Sequence, residues 1–233
     1  MNTVESKLEV VPLPAGKLDL VLSRIPRAVN QVLQEHPALY IAGGFIRSIF
    51  ARETVRDIDI FSGSFEHMAR GVSDYRAIIG ARYSNVRERL TPCTTMFETG
   101  LYPVQFVTYI EQPWEQGLSQ FDFTICQAAL RFNPDSGWES ICTPEFLRDV
   151  AARQLVYTSP ERVEAPGGSL WRALKFVRRG YSITQEELAK LVVRLNNGLK
   201  AKHVGCEVLF NLPPECNETV VRQSFHLNGH GYF

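Results

Sequence analysis

Two short stretches decide the fold of this chain: YIAGGFIR at residues 40–47 and RDIDIF at residues 56–61. The first places two glycines between apolar runs, which predicts a buried strand, a tight turn and a helix. The second alternates aspartate with isoleucine. Because successive side chains of a strand point to opposite faces, Asp57 and Asp59 are expected on one face of a strand.

The carboxylate pair predicts a metal site. Aspartate is disfavoured in strands, and two neighbouring carboxylates repel each other unless a cation lies between them. Asp57 and Asp59 are therefore the candidate metal ligands and catalytic residues, with Mg²⁺ or Mn²⁺ as the ion, because such ions favour carboxylate and phosphate oxygens. The competing interpretation of the same pattern is an exposed face of an edge strand, or a salt-bridged turn.

The glycine turn predicts a phosphate site beside that pair. Gly43 and Gly44 allow the backbone to approach phosphate oxygens, and the following helix N-terminus supplies oriented N–H donors. Arg47 lies one helical turn further on and is expected to reach the same anion. A double glycine alone more often makes only a tight strand-to-helix connection, but here a strand with two aspartates follows closely.

These motifs resemble those of a known family. The two stretches are similar to the head domain of class II tRNA nucleotidyltransferases (CCA-adding enzymes) and bacterial poly(A) polymerases, of the DNA polymerase β-type superfamily. Two further segments match in the same order: FDFTIC at residues 121–126, and SLWRALKF at residues 169–176 followed by GYSI at residues 180–183. The resemblance covers roughly residues 38–195.

The resemblance implies an α+β nucleotidyltransferase head, with a mixed sheet flanked by helices, followed by a small helical neck-like portion. It implies transfer of a nucleoside monophosphate from an NTP to a hydroxyl, most simply an RNA 3′ end, by two-metal catalysis. Asp122 would order the nucleotide site, and Arg172 and Lys175 would contact the triphosphate or base. The alternative for these two cations is a solvated helix face.

Departures from the family pattern keep other functions open. Ser48 stands where the family has Asp, Phe121 and Cys126 replace Arg and Asn, and Gln105 occupies the place of a third acidic residue. A compact head could instead transfer a nucleotide to a protein or small molecule. It could also be a catalytically eroded fold that serves as a binding or structural module.

Composition narrows the partners. Lys+Arg and Asp+Glu both number 25 in 233 residues, so no basic excess is available for wrapping a long nucleic acid. The five cysteines form no CxxC pair, which favours reduced thiols over disulfides or a zinc knuckle. The N-terminus lacks signal-peptide character and no run reaches membrane-span length, so we expect a cytoplasmic protein without membrane contact. The oligomeric state is not predicted.

Periodicity and turn residues also predict the elements and domains. Residues 1–16 are expected to be a loose lead-in and residues around Trp114 a loop, with domains at 1–165 (head) and 166–233 (helical neck-like region and tail). The predicted helices are 17–36, 45–51, 65–79, 145–152, 169–179 and 185–197, and the predicted strands are 38–42, 57–61, 81–86, 94–99, 104–109 and 154–157.

Overall fold

The structure, a computed structural model, describes residues 8–91, 93–160 and 167–201. Its contacts divide the chain into two units, Met1–Ala152 and Arg153–Phe233. This division falls earlier in the chain than the predicted boundary at residue 165. The reason is a backbone pairing: the strand Gln154–Leu155 runs parallel to Ser182–Ile183, which ties the chain from Arg153 onward to the second unit.

The first unit is built on a seven-stranded mixed sheet with the order β3-β4-β5-β2-β1-β6-β7. Its strands are β1 Leu39–Ala42, β2 Ile58–Ser62, β3 Arg87–Leu90, β4 Thr94–Glu98, β5 Val104–Glu111, β6 Ala128–Asn133 and β7 Gly137–Cys142. Its helices are α1 Ala15–Leu22, α2 Arg27–Glu35, α3 Gly44–Ala51, α4 Phe65–Gly80, α5 Trp114–Ser119 and α6 Phe146–Ala152, with a 3₁₀ turn at Thr124–Cys126. Among the described strands of this seven-stranded sheet, only β2 and β5 pair in parallel. The predicted α+β class, a mixed sheet flanked by helices, is confirmed.

One face of the sheet packs against α4 through aromatic side chains. Tyr75 of α4 lies with its ring centroid 5.4 Å from both Phe97 and Phe106, and all three rings are almost fully buried. Gly71 faces the side chain of Leu39 so closely that a Cβ would meet it at 2.5 Å. The helix therefore lies directly on the sheet, and α4 seals the back of strands β1, β2, β4 and β5.

The opposite face carries a second apolar cluster and, beyond it, the candidate site. The cluster comprises Tyr40, Ala42, Phe61, Val107, Trp114, Leu118, Ala129 and Ile141, with Leu8, Val10 and Phe121 packed against it. Tyr40 stacks on Phe61 at 5.6 Å between ring centroids. The cluster fixes this face of β1, β2 and β6, which are the strands that lead into the glycine turn and the aspartates.

Several predicted elements differ from the structure for identifiable reasons. The predicted helix 17–36 is two helices, because Pro26 has no N–H to donate and instead precedes the first turn of α2. The predicted strand 81–86 is wrong, since Ala81 still caps α4 and β3 begins at Arg87. The residues around Trp114 form α5 rather than a loop.

The lead-in is also more ordered than predicted in its described part. Val11 exchanges two backbone hydrogen bonds of 2.8 Å with Cys142, and the Leu13 N–H donates to the Ser140 hydroxyl at 3.2 Å. These contacts pair the segment with β7, the edge strand of the sheet. Residues 1–7 lie outside the described residues, as do 202–233 of the predicted tail.

The second unit contains α7 Gly168–Val177 and α8 Gln185–Ala201, together with the parallel strands β8 Gln154–Leu155 and β9 Ser182–Ile183. Gly180 has φ +86° and ends the helical segment, so that Tyr181 can turn back onto Phe176, 5.4 Å away between ring centroids. The Glu187 carboxylate accepts the Tyr157 N–H at 2.6 Å. No helix in the described ranges is both long enough and apolar enough to span a membrane.

Candidate active site

The glycine turn lies at the carboxyl end of β1. Gly43 has φ +80° and ψ −125°, a conformation that L side chains rarely adopt, and its N–H donates to the Ala128 carbonyl at 3.0 Å. The ring of Phe121 lies against it: a Cβ on Gly43 would come within 2.8 Å of Phe121 Cε1. Gly44 begins α3. Gly43 is therefore required by its backbone angles and by an aromatic neighbour.

The carboxylate pair lies on the adjacent strand. Asp59 is the second residue of β2, and Asp57 immediately precedes the strand. The strand therefore begins at Ile58, one residue later than predicted. Both side chains are partly exposed, while Ile58 and Ile60 between and after them are fully buried. The alternation that the sequence predicted is therefore present. Burial of its carboxyl oxygens and the charge of Asp57 raise the pKa of Asp59 well above its usual value, and the Arg47 guanidinium opposes this.

Arg47 lies beneath the turn. It is 6% exposed, and its guanidinium faces Gly44 at 3.7 Å from a built Cβ. Its Nε lies 3.7 Å from the Glu53 carboxylate, and its two terminal nitrogens donate to Cys126 Sγ and Ser48 Oγ, each at 3.4 Å. Two departures from the family pattern, Ser48 and Cys126, are therefore both hydrogen-bond partners of the arginine that supports the turn.

A row of paired residues extends from Asp59 across the sheet. Asp59 pairs with Gln105 of β5, Gln105 with Met96 of β4, and Met96 with Arg89 of β3. Directly paired residues share a face, so all four side chains lie on the side of the carboxylate pair. Gln105 consequently lies beside Asp59, on the same face of the sheet. Glu98 contacts Arg89 at 3.3 Å.

Asp122 is buried and lies two residues before the 3₁₀ turn, which begins at Thr124. A hydrogen bond holds the 3₁₀ turn in place, because the Thr124 hydroxyl donates to the Asp149 carboxylate at 2.6 Å. Asp149 is only 2% exposed and also accepts from Arg148 Nε at 2.9 Å. Sequence reasoning missed Asp149: a single aspartate within a short helix gives no pattern that distinguishes it from a surface residue.

Arg172 and Lys175 lie on α7 of the second unit. Arg172 Nη2 lies 3.5 Å from Ser169 Oγ, and Lys175 Nζ is 5.7 Å from the centroid of the Trp171 ring. Arg178 approaches the same ring at 5.9 Å. Trp171 therefore lies in a cationic environment within its own unit, and these contacts arrange both predicted cations along one helix.

Solved structures of known proteins share this fold. The chain superposes on a tRNA-processing enzyme in an apo form with a TM-score of 0.58 and 21% identity, over 81% of this chain and 52% of the other. A CCA-adding enzyme in complex with CTP gives 0.57 and 15%, over 85% and 48%. The Thermotoga maritima CCA-adding enzyme complexed with tRNA gives 0.55 and 16%, over 93% and 54%. The chain thus spans about half the length of these proteins, and the likeness establishes the nucleotidyltransferase-head fold.

The sequence itself matches one family. No curated protein matches significantly. The family described as Gad2, Gabija anti-defense 2 family protein, matches residues 15–153, which is more than half of the chain and almost the whole described first unit. The chain therefore belongs to the Gabija anti-defense 2 family, and the part that defines its membership has the fold of a nucleotidyltransferase head.

Proposed function

We propose that this chain is a metal-dependent nucleotidyltransferase that moves a nucleoside monophosphate from an NTP to a hydroxyl, an RNA 3′ end, and releases pyrophosphate. One observation carries the proposal: the pairing of β1 with β2 brings Asp59 to the end of β1, where the glycine turn opens α3, and Asp57 lies close enough to act on its charge. Burial and mutual repulsion disfavour two charges at this place. A site that holds two carboxylates against that cost is suited to a cation.

The donor set fits Mg²⁺ or Mn²⁺. Asp57 and Asp59 would hold the ion through carboxylate oxygens, and the amide oxygen of Gln105, on the same face, is a further hard donor. When bound, such ions activate an attacking hydroxyl and stabilise the pyrophosphate that leaves. Replacing a third carboxylate with an amide lowers the negative charge of the site, so we expect weaker metal binding than with three acids.

The protein's own groups would bind and orient the NTP. The N–H groups that begin α3 at Gly44 would donate to phosphate oxygens. Arg47 would act from beneath the turn: its contacts with Ser48 and Cys126 hold it there, and its charge offsets that of Asp59. Asp122 would order the nucleotide site. The contact of Arg172 and Lys175 with the NTP, which the resemblance implies, stays a prediction.

The test is label transfer together with ligand-induced stabilisation. Purified protein is incubated with Mg²⁺ or Mn²⁺ and each α-labelled NTP, with and without total RNA, and compared with Asp57→Asn/Asp59→Asn. Asp135→Asn is the matched control, since Asp135 is an exposed aspartate in the β6–β7 turn. We expect labelled RNA from the wild type and the control only. Metal and NTP should raise the melting temperature of the same two proteins.

A second function has a specific observation in its favour. The Phe121 ring covers Gly43, and Phe121, Ser48, Gln105 and Cys126 all depart from the family pattern. A head of this kind would bind an NTP without transferring it and act as a binding module. NTP-dependent stabilisation without any label transfer would favour this function. Label on the protein itself, or on a small molecule, would instead identify a different hydroxyl acceptor.

The family description names an activity against a defence designated Gabija. We propose that the head serves this activity in the present chain, because the family match and the head occupy the same residues. If so, the Asp57→Asn/Asp59→Asn variant should no longer counteract that defence in cells that carry it, although the protein is present at the wild-type level. Full protection by the double variant would show that the carboxylate pair is dispensable for it.

A further inference from the structure

The row that begins at Asp59 ends at the edge of the sheet. Strands in a sheet lie about 4.8 Å apart, so the three spacings from β2 to β3 place Arg89 about 14 Å from Asp59. Arg87 lies two residues earlier on β3 and therefore points to the same face. Gln105, Met96, Arg89 and Arg87, here called the acceptor strip, connect the carboxylate pair to the edge of the first unit.

The two faces of these strands differ sharply. On the back, Val104 and Phe97 are at most 1% exposed beneath α4. The acceptor strip has the opposite character, since Gln105 and Met96 are partly exposed and both arginines are exposed. The functional groups along the strip also change in a fixed order: an amide lies beside the carboxylates, a thioether lies next to it, and two guanidinium groups lie at the far end.

This chemistry matches a short polynucleotide end. A guanidinium binds phosphate through a planar fork of N–H donors, a polarizable thioether packs against the face of a base, and an amide hydrogen-bonds to sugar or base edges. Glu98 lies on the same face and engages Arg89 at 3.3 Å through one nitrogen, Nη2. The guanidinium has further N–H groups that a phosphate can use.

We propose that the acceptor strip binds the 3′-terminal segment of a single-stranded nucleic acid and leads it to Asp57 and Asp59. The neutral total charge of the chain agrees with this limited contact, because two arginines at one edge suit a short end and not a long wrapped duplex. The inference rests on the proposed function, to which it adds the surface that holds the acceptor.

The test is binding, measured apart from transfer. Fluorescein-labelled single-stranded RNA and DNA of about ten nucleotides, within the usual site size of such proteins, are titrated with the full chain, and anisotropy is followed at several salt concentrations. The variant is Arg87→Gln/Arg89→Gln. The matched control is Arg70→Gln, since Arg70 is an exposed arginine on α4, on the opposite face of the sheet. Met96→Glu places a negative charge in the middle of the strip, directly across from Arg89 in the strand pairing.

We expect roughly ten-fold weaker binding for the double arginine variant and for Met96→Glu, and no change for Arg70→Gln. Loss of two phosphate contacts should also reduce the slope of log K against log salt by about 1.4, at 0.7 per contact for a single strand. Equal affinity for RNA and DNA would show that the strip recognises phosphate and base. A preference for RNA would show a contact to the 2′-hydroxyl. Both outcomes support binding at the acceptor strip.

The outcome is separable from that of the proposed function. Absence of oligonucleotide binding by the wild type, or unchanged affinity in both strip variants, overturns the inference even if the protein transfers label to another acceptor. Strip-dependent binding without NTP stabilisation supports the inference and contradicts the proposed transferase. Melting temperatures of all variants are measured in parallel without ligand, and those of the arginine variants should stay at the wild-type value because these side chains are exposed.

Discussion

Gly43 offers a direct measurement of how tightly the glycine turn is constrained. Gly43→Ala has two costs. An L residue at φ +80° is strained by about 1–3 kcal/mol. The new methyl would also come within 2.8 Å of Phe121 Cε1, and forcing an additional carbon into a packed site costs about 1–3 kcal/mol. We therefore expect the variant to lose about 2–6 kcal/mol of unfolding free energy.

A control isolates the backbone term. Gly137, at the start of β7, has φ +84° but no atom within 4 Å of a built Cβ. Gly137→Ala should therefore show only the strain. Urea unfolding followed by far-UV circular dichroism gives both values, and midpoints can be compared through a common denaturant slope. The difference between the two variants, about 1–3 kcal/mol, is the contact with the Phe121 ring.

A double-mutant cycle tests the assignment of that difference. Phe121→Ala removes the ring, so Gly43→Ala should cost about 1–3 kcal/mol less in the Phe121→Ala background than in the wild type. If Gly43→Ala and Gly137→Ala were equally destabilising, or if the cycle showed no coupling, the close approach of Phe121 to the turn would be refuted. The turn would then be open above Gly43.

Three further predictions concern the groups around the site. Thr124→Val removes the hydroxyl that donates to buried Asp149 at 2.6 Å, so the free energy of unfolding should fall by about 1.5–3 kcal/mol. Thr124→Ser should restore most of that stability. An equal loss of stability in both variants would disprove the hydrogen bond. Gly117→Ala should lose about 1–3 kcal/mol because its methyl would overlap the Tyr40 hydroxyl. Tyr40→Phe should relieve that loss, and Gly117→Ala with wild-type stability would contradict the packing of α5. Hydrogen bonds from Ser136, Asn133 and Arg131 lower the pKa of Glu139, so its contribution is present above the unfolded-state pKa and is lost as pH falls through the lowered folded-state pKa. The effect should be below about 1 kcal/mol for this surface group, and Glu139→Gln should flatten the acid limb of stability against pH; an unchanged limb would contradict it.

The sequence predicted the centre of the fold best, because there the local pattern and the tertiary environment agree. Residues 40–47 read as strand, turn and helix since an apolar run meets two glycines, and β1 and α3 follow that order. The alternation of aspartate and isoleucine in residues 57–60 is preserved because Ile58 and Ile60 are driven into the core. Elements whose limits depend on distant contacts were harder to predict. The pairing of Val11 with Cys142 has no local signal that is visible in one sequence.

The environment of the site residues shows the same division. The sequence placed Arg47 one helical turn from Gly43, but not its orientation, because the partners that draw it inward are distributed over the chain: Glu53 follows α3 and Cys126 is 79 residues away. Phe121 likewise gave no sign that its ring would lie against Gly43. These contacts also connect two of the residues that differ from the tRNA nucleotidyltransferase pattern. Ser48 and Cys126 both accept from Arg47, so replacing either by the Asp or Asn of the tRNA nucleotidyltransferase pattern would change the charge or the hydrogen bonding of one buried guanidinium beside Asp59. Ser48 and Cys126 therefore both position the guanidinium that opposes the rise in the pKa of Asp59, and this contact links the two replacements to the carboxylate pair.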